Sequence, residues 1–240
     1  MNIKLGIMLS FFACLFCGTF VKAQPVSFAE NANLDSLRSS LIKLRWTEKE
    51  VTDISNILTG SFYLRDKATE TTFKEIAPDA NIIHLATHAI IDDEQPLYSK
   101  FVFTKEEGSN DDGFLNTYEL YNMQLNANLA VLSACDTGSG KLSRGEGIMS
   151  LARGFMYSGC PSVITSLWSV DDKSTAVIMK HFYEGLAKGL SKDEALRASK
   201  LSYLKNADEI KANPFYWAGF ILIGNPDAIY LKQGEPESSK

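Results

Sequence analysis

Short runs of apolar residues predict the central strands of a sheet. Residues 129–132 (LAVL) lead into small and turn-forming residues, and residues 81–88 (NIIHLATH) repeat that design. A continuous apolar run of this length, bounded by turn signals, favours a strand buried on both faces. Residues 162–168 and 217–223 are further runs of the same kind, and residues 101–103 (FVF) are strand-like in composition.

Between these runs, apolar residues recur with the period of a helix. Thr47 and Glu50 have capping-box spacing ahead of an apolar stripe, and so do Ser191 and Glu194. Other helices are predicted over residues 69–76, over 116–123, from Ile148 to the stop at Gly159, and after a cap at Asp171 or Asp172. Strands that alternate with helices predict an α/β fold with a mostly parallel central sheet covered on both faces.

The first residues are predicted to be a signal peptide. Lys4 precedes an apolar segment over residues 5–20, and residues 21–23 (VKA) fit a small-residue cleavage site. The segment is short for a membrane span, so a signal peptide over residues 1–23 is favoured over a retained anchor. We therefore expect a secreted or periplasmic protein, with a membrane as partner only if the segment is retained.

The remaining chain is expected to form one domain. Its length of 240 residues and hydrophobic content of 45% are sufficient for a sizeable core. We predict a polar lead-in over residues 24–43, the domain over residues 44–232 and a disordered tail over residues 233–240. Removal of the leader would take the formal net charge from −5 to −7, which gives no electrostatic case for a nucleic-acid partner.

The cysteines do not indicate a disulfide scaffold. Cys14 and Cys17 lie in the predicted leader, so the mature chain would keep Cys135 and Cys160 alone. Cys160 is expected to be a buried small hydrophobe at the exit of a helix. A Cys135–Cys160 disulfide is the alternative, and it would remove the free thiol of Cys135, the candidate nucleophile.

A thiol and an imidazole are predicted to meet at one edge of the sheet. His88 ends the apolar run over residues 81–88, and Cys135 follows the run over residues 129–132. In an open α/β sheet, ligands bind in the crevice beyond the carboxyl ends of the strands. An imidazole can take the proton of a nearby thiol and so activate a nucleophile that is mostly protonated at neutral pH.

Two alternatives to this chemistry are rejected. His84 and His88 have the spacing of a helical metal pair, but in a strand residues four apart lie about 13 Å from each other and cannot bind one metal together. His84 is therefore expected to be a packed or hydrogen-bonded core histidine. Residues 138–143 (GSGKLS) lack the Ser or Thr after lysine and the earlier glycine of a phosphate loop. We expect no metal, nucleotide or other cofactor.

Five motifs occur in an order that resembles the CHAT domain, a caspase-like family related to separases. The resemblance spans about residues 44–224 and is carried by HLATH (84–88), LSACDTG (132–138), GEG (145–147), SLWSVDD (166–172) and NPFYW (213–217). It implies a caspase-like three-layer α/β/α fold, a catalytic dyad of His88 and Cys135, and an oxyanion hole formed by the backbone N–H groups of Ala89 and Cys135.

This chain departs from the family in two places. The family usually has glycine after the catalytic histidine, and Ala89 would cost about 1–2 kcal/mol if a left-handed conformation were required there. CHAT domains also usually carry more sequence before the region of Thr47 and often follow helical repeats that regulate them. We therefore expect that the first strands of the sheet are missing or vestigial.

The resemblance implies a cysteine endopeptidase that cuts after a basic residue. Asp136, Asp171 and Asp172 are the acids beside the motifs that could line a pocket for such a residue, although either of the last two is as easily a helix cap. The expected partners are a protein or peptide substrate and a regulatory or strand-supplying chain. The alternative is a catalytically inactive CHAT module that acts in protein–protein interaction, which Ala89 and the missing front strands favour.

Overall fold

The computed structural model describes most of the chain after its first 35 residues. The described residues are 36, 38–39, 41, 44–133, 135–136 and 146–230, with only the backbone of 135–136 and 146–147. The predicted signal peptide, most of the lead-in, the glycine-containing residues 138–143 and the tail from residue 233 lie outside them. Within the described residues, no helix has both the length and the apolar content to cross a membrane.

The chain divides into two units, Met1–Ser39 and Ser40–Lys240. In the first, the described residues 36 and 38–39 are helical, and the Ser39 hydroxyl donates a hydrogen bond to the Ser36 carbonyl over 2.8 Å. The second unit contains every element discussed below.

Helices and strands alternate along the second unit. The helices are α1 (Thr47–Ser55), α2 (Glu70–Ile76), α3 (Thr117–Leu120), α4 (Glu146–Tyr157), α5 (Asp172–Ala187) and α6 (Lys192–Lys205). The strands are β1 (Ile82–Leu85), β2 (His88–Ile90), β3 (Lys100–Val102), β4 (Phe114–Asn116), β5 (Leu129–Leu132), β6 (Cys135–Asp136), β7 (Ser162–Ser166) and β8 (Phe220–Gly224).

The strands form two four-stranded sheets. The main sheet has the order β1-β5-β7-β8, in which β1, β5 and β7 are parallel and β8 is antiparallel at the edge. The small sheet has the order β4-β3-β2-β6, in which β2 and β6 are parallel. The predicted α/β fold with a mostly parallel central sheet is confirmed.

Strand β5 explains why helices cover both faces of the main sheet. All four of its residues are at most 2% exposed, yet they point alternately into two separate apolar clusters. Ala130 and Leu132 pack with residues of α2, α3 and α4 on one face. Leu129 and Val131 pack with residues of α1, α5 and α6 on the other face. The result is a three-layer α/β/α arrangement.

The apolar run that we predicted as one strand over residues 81–88 is two strands. Strand β1 ends at Leu85, and after Ala86 and Thr87 the chain continues as β2, which belongs to the small sheet. His88 therefore begins the second strand rather than ending the first. Beyond the main sheet, the backbone N–H and C=O groups of β2 find new hydrogen-bond partners in β3, which runs antiparallel to it.

The outer edge of the main sheet carries a lysine. Among the described strands, β8 pairs with β7 alone. At the two ends of this ladder, the Leu167 N–H donates to the Gly219 carbonyl and the Asn225 N–H donates to the Pro161 carbonyl. Backbone groups of successive residues point to opposite sides of a strand, so the Phe220 carbonyl points away from β7 towards the free edge. Lys200 Nζ donates a hydrogen bond to this carbonyl over 2.6 Å. One hydrogen-bonding group of the edge is therefore already occupied.

Helix α4 ends at a glycine that the fold requires, as the sequence predicted. Gly159 has a φ of +118°, which favours glycine, and the Cys160 N–H donates to the Phe155 carbonyl over 3.0 Å. A Cβ atom at position 159 would lie 2.3 Å from the Leu125 carbonyl oxygen. Both the backbone conformation and the close approach therefore exclude a side chain.

We expect Gly159→Ala to lower the free energy of unfolding by about 2–4 kcal/mol, since backbone strain and a steric clash add. The matched control is Gly189→Ala, because Gly189 has a φ of +80° but no atom within 4 Å of the added Cβ. That variant should lose about 1–2 kcal/mol from strain alone. Urea unfolding followed by circular dichroism measures both, and equal losses would contradict the role of Leu125.

Candidate active site

The backbone places His88 beside Cys135. Strand β1 pairs with β5 so that Leu85 is opposite Leu132, and β2 pairs with β6 so that His88 is opposite Cys135. Both ladders pair residues that are 47 positions apart in the chain, so one register continues from the main sheet into the small sheet. Neighbouring strands lie about 4.8 Å apart, which brings the two main chains next to each other just beyond the ends of β1 and β5.

His88 is on the face of the sheet that α5 covers. His84 is on this face, because its Nδ1 lies 3.0 Å from the Tyr183 hydroxyl of α5. Ala89, the next residue of β2, is buried in the cluster on the opposite face. Side chains alternate along a strand, so His88 points to the face that α5 covers. His88 itself is half-buried.

His84 is held in a buried polar network, as expected for a core histidine. Its Nε2 lies 3.1 Å from Glu50 Oε1 of α1, and Glu50 and Tyr183 are 3% and 1% exposed. Burial raises the pKa of Tyr183 well above its usual value, and the negative charge of Glu50 raises it further. The imidazole thus contacts both α5 and α1 from β1, although the approach of Nε2 to Glu50 Oε1 lacks the geometry of a hydrogen bond.

Glu50 was predicted in a different role. We expected it to complete a capping box with Thr47, but the helix begins at Thr47 with Trp46 in the cap position, and the Glu50 carboxylate points inward instead. A signal for this was present in the sequence. Glu50 precedes Ile54 by four residues and therefore lies on the apolar face of the helix, where a carboxylate needs a polar partner.

Asp171 is a helix cap. Its carboxylate accepts hydrogen bonds from the Ser174 N–H over 3.1 Å and from the Ser174 hydroxyl over 2.8 Å. Lys211 Nζ also donates to it over 2.9 Å. Burial alone would raise the pKa of Asp171, but the hydrogen bonds from Lys211 and Ser174 hold it below the usual value. All three contacts go to Oδ2, so the negative charge of Asp171 is already paired with Lys211.

Asp172, the first residue of α5, has a different environment. Its carboxylate accepts a hydrogen bond from the Arg45 N–H over 3.2 Å. Burial raises the pKa of Asp172, and the charges of Asp171 and Glu50 raise it further, while the Arg45 N–H and the nearby His88 act in the opposite direction. Asp172 is therefore the carboxylate of this pair that is electrostatically coupled to His88.

Ala89 does not carry the strain that its substitution for glycine led us to expect. It lies in β2, opposite Phe101 of β3 and Asp136 of β6. Among the described residues other than glycine, Arg65 is the one with a positive φ, so Ala89 has an ordinary extended backbone. The expected cost of about 1–2 kcal/mol for a left-handed alanine does not arise here.

The two cysteines of the domain differ in surroundings. Cys160 is a free thiol that is fully buried in the apolar cluster of α4, as predicted. Burial raises the pKa of the Cys160 thiol to about 11. Since Cys160 is free, the alternative of a Cys135–Cys160 disulfide is not adopted. Cys135 and Asp136 are placed by backbone register alone.

Comparison with known families gives a match over most of the chain. A family model described as the CHAT domain matches residues 20–225.

Two similar curated proteins share a shorter stretch. Tetratricopeptide repeat protein 28 of Mus musculus is 28% identical over 111 residues, and its Homo sapiens counterpart is 29% identical over 111 residues. Each match covers 46% of this chain and 4% of the relative, so the chain corresponds to a small part of those proteins. Among solved structures, the Arg specific cysteine proteinase gingipain R aligns with 76% of this chain and 42% of its own, at 10% identity and a TM-score of 0.44.

We expect alkylation with iodoacetamide at pH 7.5 to distinguish the two thiols. At a pKa of about 11, only about one Cys160 thiol in 3,000 is ionised at this pH, and burial excludes the reagent as well. Peptide mapping by mass spectrometry should find Cys135 labelled in the folded protein and Cys160 labelled only after unfolding in urea. Rapid labelling of Cys160 in the folded protein would contradict its burial.

Proposed function

The chain belongs to the CHAT domain family, and from this membership we propose that it is a secreted, caspase-like cysteine endopeptidase in which His88 and Cys135 form the catalytic dyad. The proposal includes cleavage after a basic residue. The N–H groups of Ala89 and Cys135 would form the oxyanion hole.

One observation carries the dyad, namely the register that pairs His88 with Cys135 across two parallel strands. A dyad requires an imidazole within reach of a thiol. Adjacent positions in a hydrogen-bonded ladder support such a dyad, because the two main chains lie next to each other. The extended conformation of Ala89 further supports activity, since it removes the steric objection to alanine at this position.

The proposed reaction follows from the two groups. The Cys135 thiol transfers its proton to His88, and the thiolate attacks the carbonyl carbon of the scissile peptide bond. His88 then gives the proton to the leaving nitrogen as the C–N bond breaks, which leaves a thioester. Water, deprotonated by His88, attacks the thioester carbonyl carbon. The C–S bond then breaks, which releases the new carboxyl group, and His88 returns the proton to the Cys135 sulfur. No cofactor takes part in these steps.

The preference for a basic residue rests on resemblance to separase-like relatives and on the acids at this edge of the sheet. Asp171 is a helix cap whose charge is already paired with Lys211, which makes it a poorer pocket residue than the other two. Asp136 and Asp172 remain as candidates. A carboxylate that pairs with arginine in a desolvated pocket makes a strong, charge-assisted contact.

If the protein is active, peptides with Arg or Lys before the cut should be cleaved about 100-fold faster than peptides with Asp there, because a charge pair in a dry pocket is worth a few kcal/mol. A peptide library analysed by mass spectrometry measures this preference. Cys135→Ala is the control, and it should abolish cleavage. Cleavage after Asp that depends on Cys135 would refute the basic preference and leave the dyad in place.

Absence of cleavage by the wild-type chain would favour the second candidate function, an inactive CHAT module in protein–protein interaction. A regulatory partner could also be required for activity. The similar curated proteins are named for tetratricopeptide repeats, which are helical repeats, so a helical-repeat chain is the partner that we would add first. Cleavage that appears only with such a chain would support the peptidase.

Export is the remaining part of the proposal, and it rests on Lys4, the apolar residues 5–20 and the small residues before Gln24. Expressed in a bacterial host, the mature protein should be recovered outside the cytosol with Gln24 as its first residue. N-terminal sequencing measures this. Recovery of a chain in the cytosol that still begins at Met1 would contradict export.

A further inference from the structure

The start of α5 lies at the same edge of the main sheet as His88. Strand β7 runs parallel to β5, and after five intervening residues the helix begins at Asp172. The helix then crosses the face that carries His84, as the contact of 3.0 Å between His84 Nδ1 and the Tyr183 hydroxyl demonstrates. His88 points to this face just beyond the end of β1, which lies two strands from β7 in the sheet. Asp172 and His88 therefore occupy the same corner of the molecule.

The carboxylate of Asp172 is fixed but not neutralised by its neighbours. The Arg45 N–H holds one oxygen over 3.2 Å. Within the part of the chain that the structure describes, no lysine or arginine forms an ion pair with Asp172, whereas Asp171 is paired with Lys211. Lys173, the next residue, lies over the Trp46 ring at 5.4 Å from its centroid. The segment before α1 thus fastens the first residues of α5.

We propose that Asp172 is a positioning residue that orients the His88 imidazole and stabilises its protonated form. This inference rests on the proposed function, because it assumes the His88–Cys135 dyad. Transfer of the thiol proton to His88 creates a thiolate and an imidazolium, and a carboxylate near the imidazolium favours that pair over the neutral pair. The assignment leaves Asp136 as the acid for a basic substrate residue.

The electrostatics of the corner agree with this geometry. Burial raises the pKa of Asp172, and interaction with His88 opposes that rise. The attraction is mutual, so the charge on Asp172 also stabilises the charge on His88. The other titratable groups on the elements around His88 include Glu50 of α1, His84 of β1, Lys100 of β3, Cys135 and Asp136 of β6, the cap residue Asp171, and Lys173 and Tyr183 of α5.

Asp172→Asn is the sharpest test, because the amide oxygen can still accept the Arg45 N–H while the charge is lost. The measurement is the rate of Cys135 alkylation by iodoacetamide between pH 5 and 10, which needs no substrate and no knowledge of the cleavage site. We expect the rate at pH 6.5 to fall roughly three- to tenfold, with the profile moving towards that of an ordinary thiol with a pKa of about 8.5.

Two further variants separate positioning from folding. Asp171→Asn removes the neighbouring charge but keeps a good helix cap, so its alkylation profile should match the wild type. Asp172→Glu keeps the charge and should retain a rate within about twofold of the wild type, since the same carboxylate–imidazolium attraction remains. Near-ultraviolet circular dichroism identifies any variant that has lost its packing.

His88→Ala distinguishes failure of this inference from failure of the proposed function. If His88→Ala slows alkylation and Asp172→Asn does not, the dyad stands and the role of Asp172 is refuted. If neither variant changes the profile, the dyad itself is refuted. If Asp172→Asn leaves the profile unchanged but abolishes the preference for Arg or Lys in peptide cleavage, Asp172 is the pocket acid instead of the positioning residue.

Discussion

The arrangement of the candidate site depends on a single register shared by two pairs of parallel strands. Main-chain hydrogen bonds set the spacing of β1 and β5, and the same 47-residue offset carries over to β2 and β6. A slip of one position would exchange the faces of every side chain in β5. Since β5 is buried on both faces between helical layers, such a slip would have to repack both apolar clusters. The burial of apolar side chains in the main sheet therefore fixes the position of polar residues just beyond it.

The same face of the sheet carries an unusual concentration of buried polar groups. Glu50, His84 and Tyr183 lie in contact inside an otherwise apolar layer, where α1 packs against α5. Leaving a carboxylate buried without its partner is costly, so loss of either Glu50 or His84 alone is worse than loss of both. The network makes the docking of α1 a condition for an intact face beneath His88.

Much of the fold was predictable because it depends on patterns that the sequence displays directly. The buried runs gave β5 and β7, Gly159 gave the end of α4, and the acidic pair at the start of α5 gave its cap. The division of residues 82–90 into two strands was not predictable, because it depends on the pairing of β2 with β3 and β6 in a second sheet. The inward direction of Glu50 and its contact with His84 were missed for a similar reason. Capping boxes are recognised by local spacing, whereas this carboxylate is placed by a strand 34 residues away.

The lysine at the rim of the main sheet has a consequence for the behaviour of the protein at high concentration. Strand β8 (FILIG) is apolar, and a bare edge of this kind is a template on which another chain can add a strand. Lys200 occupies the Phe220 carbonyl with a charged group that an incoming strand would have to displace and desolvate. Protection of this edge thus comes from a side chain of α6, and the edge itself lies opposite β1, the strand that leads to His88. The residue that guards the sheet against strand addition and the candidate site therefore lie at different parts of the sheet.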